Sequence, residues 1–95
     1  MNTAPIPVDY SDAMLRILVE EYITMQRHEF TFRGVCDFVL YRAMEEGRMV
    51  GQTFYESNEL QPADQERILC VLKKIADEGR ITASTDNLQF EKVKE

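Results

Sequence analysis

The spacing of apolar residues changes once along this chain, and the change at Gly79 limits what the chain can fold into. Before Gly79 they recur every three or four residues, the repeat of a helix packed on one side. After it they recur every second residue, the repeat of a half-buried strand. The upstream part holds three helical stripes and the downstream part has room for one hairpin. A chain of 95 residues hides only about 60 to 65% of its unfolded surface, enough for one core and not for two. The expectation is a single α+β, mainly helical domain, with a three-helix core and a C-terminal β-hairpin.

Residues 1–8, with Pro5 and Pro7, suit an extended N-terminal arm, loose or docked; residues 9–92 form the domain and 93–95 a frayed tail. Asp9 is the expected N-cap of a helix over 10–27, with Leu15, Leu18, Val19, Tyr22 and Met25 on its apolar stripe. His28 follows, where an imidazolium suits the negative end of the helix dipole. Glu29 to Phe32 alternate polar and aromatic as a short strand does, while Thr31 can cap the next helix. That helix runs to Glu46 on a wide apolar arc of Val35, Phe38, Val39 and Ala43, flanked by Cys36, Leu40 and Met44, and Gly47 stops it.

Residues 48–61 read as a short strand or an irregular turn. Pro62 then opens a third helix over 62–78, carried by Ile68, Leu69, Leu72, Ile75 and Ala76 and closed by Gly79. Ile81 and Ala83 on one strand and Leu88 and Phe90 on the next bracket a turn at Ser84 to Asn87, where Asp86 and Asn87 tolerate positive φ. Residues 38–49 and 70–81 share Val, Leu, Glu, Gly and Arg at an offset of 32. Two copies fall short of the roughly three that a solenoid needs, so the similarity reads as two helices with one kind of glycine stop. Both helices carry acids in the last turn, Glu45 and Glu46 in one and Asp77 and Glu78 in the other, against the dipole preference.

The charge is −6, and residues 1–47 hold eight acids against four arginines. Such a balance counts against phosphate binding, which needs clustered Lys and Arg. The longest apolar run, Ile68 to Val71 and Leu72, is far short of the roughly 20 residues of a membrane span. The opening residues MNTAPIPVDY lack the basic start and apolar stretch of a secretory leader, which points to the cytoplasm. Cys36 and Cys70, 34 residues apart, suit neither a disulfide framework nor a zinc knuckle, and both are expected as buried free thiols.

No catalytic constellation is visible. His28 has no partner at ligand or triad spacing, and glycines 34, 47, 51 and 79 form no phosphate-cradling loop. The chain is expected to be no enzyme and to need no metal or other cofactor.

The segment QERILCVLKKIADEGRI followed by TASTDNLQF resembles the third helix and wing of the winged helix-turn-helix superfamily, and the order of elements along nearly the whole chain matches it. The stretch of 14 residues between the second and third helices departs from the short turn of a compact helix-turn-helix. The resemblance implies that the third helix enters the major groove and that the wing touches backbone or minor groove. On this chain those positions fall on Gln65 and Arg67, with Lys73 and Lys74 further along, and on Arg80, Thr82, Ser84, Thr85, Asn87 and Lys92 at the wing. Asp64 and Glu66 stand beside Gln65 and Arg67 as acids that repel phosphates.

Two functions follow. In one, the domain is a DNA-binding regulator or accessory subunit, with Gln65 pairing adenine, and Arg67, Lys73, Lys74, Arg80 and Lys92 as electrostatic contacts. It would act as a homodimer, with Met14, Ile17 and Ile23 of the first helix as the candidate pairing face. In the other, it is an acidic adaptor or inhibitor that binds a protein partner through Phe54, Tyr55 and Leu60 inside a charged rim.

Overall fold

A computed structural model describes residues 7–48 and 59–93. The elements run α1 (Asp12–Met25), β1 (Glu29–Thr31), α2 (Phe32–Glu46), α3 (Pro62–Asp77), β2 (Ile81–Ala83) and β3 (Gln89–Lys92). The three strands form one antiparallel sheet in the order β1-β3-β2. The fold is α+β and mainly helical, and three helices with this small sheet are compatible with a winged-helix arrangement.

Local chemistry sets most boundaries. The Thr31 hydroxyl accepts the Gly34 N–H at 3.0 Å and caps α2, so Thr31 both ends β1 and starts the helix. Gly47 and Gly79 take positive φ of 66° and 81°, a conformation that costs a side chain strain and glycine none. Pro62 sits in the first turn of α3, where its missing N–H has no helical partner to lose. In the hairpin, Asn87 adopts φ 58°, and its N–H donates to the Ser84 carbonyl.

The start of α1 corrects the sequence reading. The cap is Ser11, whose hydroxyl accepts the Met14 N–H at 3.2 Å, and not Asp9. Asp9 gives its own N–H to the Arg48 carbonyl, and Tyr10 is drawn into the core, so the chain stays extended until Ser11. The apolar stripe shifts with it: Ile23 is buried, whereas Met25, in the final turn, is 62% exposed.

The core gathers Leu15, Val19, Val35, Val39, Ile68, Leu72 and Ile75 from the three helices, and Ile81 and Phe90 from the sheet. Phe30 and Phe90 are register partners and stack with centroids 5.4 Å apart at 14°. Tyr22 meets Phe30 edge-on at 6.0 Å and Phe38 at 5.3 Å, which ties α1 to the sheet and to α2. Leu88 lies in the turn and is 55% exposed, so it is no core strand residue. Cys36 is buried as expected, but Cys70 is exposed, because it lies on the face of α3 that turns away from the other helices. No helix among the described residues is long and apolar enough to cross a membrane.

Candidate functional site

The first turn of α3 is where a winged helix would present its reading residues, and here it is covered by the chain's own arm. Val8, Tyr10 and Asp64 are all buried. The Val8 N–H donates to Asp64 Oδ2 at 3.0 Å. Arg67, one turn further along the helix, donates from Nη1 to Asp64 Oδ1 at 3.0 Å, from Nε to Asp12 Oδ1 at 3.0 Å, and from Nη2 to the Tyr10 carbonyl. Partial burial works against the Arg67 charge, but the hydrogen bonds to Asp12 and Asp64 outweigh it and hold the guanidinium firmly protonated. The Tyr10 hydroxyl donates to Glu46 Oε1 at 2.6 Å. Burial first, and then this carboxylate, push the phenol well above its ordinary range.

Three of the other expected contacts are also engaged within the fold. The Gln65 amide donates to the Leu60 carbonyl at 2.7 Å. Arg80 pairs with Glu20 and stands 3.8 Å from Glu78. Lys92 gives its ammonium to the Gln26 carbonyl at 3.0 Å. Arg80 and Lys92 do come together, both lining a cleft of about 550 Å³ with Ile23, Thr24, Glu78, Gly79 and Val93. Lys73 and Lys74 remain exposed on α3 and pair with no acid among the described residues. Their helix face is shared with Glu66 and Asp77, which are exposed as well.

The hairpin carries no Lys or Arg between Ile81 and Glu91, and Arg80 and Lys92 flank that stretch. Asp86 at the tip accepts from the Ser84 hydroxyl and from the Leu88 N–H at 3.0 Å, and these donors hold its carboxyl below the ordinary aspartate range. Thr82 and Asn87 lie along the same hairpin, with Thr82 opposite Glu91. Inward-facing Phe30 and Phe90 put their neighbours on the outer face of the sheet, where Glu29 and Glu91 stand directly opposite each other.

The protein-partner residues divide. Leu60 is 1% exposed and belongs to the core, so it offers no docking surface; Phe54 and Tyr55 lie outside the described residues. On the first helix Ile17 is exposed, but Met14 is partly buried and Ile23 is a core residue, so the three share no outer face. Among the described residues no group of three or more His, Cys, Asp or Glu is placed to hold a metal ion.

Two residues of this cluster were absent from the sequence reading, Tyr10 as a buried contact and Asp64 in its bridging role. The Asp64 to Arg67 spacing, one helical turn, was the available signal. Comparison with family models, curated proteins and solved structures returns no match.

Proposed function

We propose that this chain is a winged-helix-like protein-interaction module, an acidic adaptor or inhibitor, that does not read DNA. The observation that carries the reading is the commitment of Arg67 to Asp12, Asp64 and the Tyr10 carbonyl, which leaves the start of α3 covered and its principal cation neutralised. Gln65, Arg80 and Lys92 are likewise bonded within the fold. The wing tip carries a carboxylate where a phosphate contact needs a cation. With a charge of −6, long-range attraction to a polyanion is unfavourable, whereas a basic or apolar protein surface meets no such barrier.

The test is a fluorescence-anisotropy titration against random duplex DNA at about 50 and 200 mM salt, since phosphate contacts weaken steeply over that interval. The module reading expects no salt-sensitive binding with protein up to about 100 μM, the weak end of non-specific affinity. Steeply salt-dependent binding that is lost on Lys73→Ala with Lys74→Ala would instead make the domain a DNA-binding regulator.

A further inference from the structure

The arm is held as a bound peptide is held. Its backbone supplies three of the contacts: the Val8 N–H to buried Asp64, the Asp9 N–H to the Arg48 carbonyl, and the Tyr10 carbonyl to Arg67. Its side chains alternate: Val8 and Tyr10 are buried, while Asp9 between them is exposed. The Tyr10 hydroxyl ends on Glu46, and the Arg48 guanidinium lies 5.9 Å from its ring centroid. Main-chain hydrogen bonds with inward pockets for alternate side chains are how folded domains recognise extended strands.

An empty slot would leave buried Asp64 without its backbone donor and Arg67 without a carbonyl acceptor, and unmade bonds of this kind are costly. The slot therefore favours an occupant.

We infer that the slot between the C-terminal end of α2 and the first turn of α3 is a peptide-binding site, filled in cis by residues 8–10. Its partner in trans is an extended protein segment of the pattern aliphatic, any residue, tyrosine. The tethered arm is its own competitor, at an effective concentration on the order of 1 mM, so an incoming segment gains the slot when the arm is displaced. This inference rests on the protein-interaction reading, and the two fail separately. DNA binding would overturn that reading and leave the slot intact, whereas failure of peptide binding would remove the slot and leave an interaction module with another surface.

The experiment uses the full chain carrying Val8→Asp, which puts a charge at a buried apolar position and expels the arm, and a labelled peptide of residues 5–13. The expected result is peptide binding at least about tenfold tighter to this variant than to the wild type, where the tethered arm competes. A peptide with alanine at the tyrosine position should bind neither. No binding to the folded variant, or equal binding of the peptide without tyrosine, would overturn the inference. If the variant does not fold, amide exchange on the wild-type chain decides. Exchange of Asp9 through local opening, while Ile68 and Leu72 stay protected, is the expected result. Exchange of Asp9 as slow as that of the α3 core would show that the slot never opens.

Discussion

The Arg16 guanidinium in α1 holds both carboxylate oxygens of Glu78, just past the end of α3, at 2.7 and 2.8 Å. Glu20 approaches Arg16 at 3.6 Å and bonds Arg80, and Arg80 stands 3.8 Å from Glu78, so two arginines and two glutamates alternate around a closed ring. This answers two of the four acids at helix ends that oppose the dipole: Glu78 has both oxygens on Arg16 Nη2 and Glu46 has the Tyr10 hydroxyl.

The ring makes stability depend on pH. Arg80 holds the Glu20 carboxyl below its ordinary value of 4.5, and Arg16 does the same for Glu78. Carboxyls depressed in the folded state stabilise it above their unfolded pKa and lose that contribution as pH falls through the folded one. The urea midpoint should therefore drop on acidification below about 4.5, and the drop should shrink at high salt because the ring faces solvent. Arg16→Met should flatten this acid limb. An unchanged limb in the variant would mean that other carboxylates set it.

A Cβ at Gly34 would overlap the Tyr22 hydroxyl and lie 3.2 Å from Thr31 Oγ1. The Tyr22 ring cannot retreat easily, since Phe30 and Phe38 flank it. Alanine gains about 1 kcal/mol in helix propensity over glycine, but the overlap should outweigh it and leave Gly34→Ala destabilised by about 1 to 2 kcal/mol. Urea denaturation measures the loss. Tyr22→Phe in the same chain removes the overlapping oxygen and should recover most of it; no recovery would place the clash elsewhere.

The two thiols should behave differently. Burial pushes the Cys36 thiol up to about 12, whereas Cys70 is exposed on α3. A thiolate-trapping reagent at neutral pH should label one site rapidly in the native protein and the second only on unfolding. Mass mapping of the first adduct to Cys36 would contradict the described packing.

What was legible in the sequence is what short-range chemistry decides. Thr31, Gly47, Pro62 and Gly79 act on their immediate neighbours, so both ends of α2, the start of α3 and its glycine stop could be read from local sequence alone. Positions whose fate depends on distant residues were not legible. Ile23 and Met25 exchange roles because α1 ends at Met25. Leu88 leaves the strand because the ladder pairs Ala83 with Phe90. The engagement of the candidate residues was hidden for the same reason: Asp64 and Arg67 reach the arm across 56 and 57 residues, and the one-turn spacing of the two residues shows their pairing but not the arm that they hold.

That commitment is the central claim, and a double-mutant cycle on Asp64 and Arg67 tests it most directly. Asp64 is 5% exposed, so Asp64→Ala, which strands the guanidinium and the Val8 N–H, should cost about 2 to 4 kcal/mol in urea denaturation. Arg67→Ala should cost about 1 to 3 kcal/mol. The predicted double variant is more stable than the sum of single losses implies, with a coupling of at least about 1 kcal/mol. Losses that add to within about 0.5 kcal/mol would contradict the account and leave Asp64 and Arg67 as uncoupled neighbours.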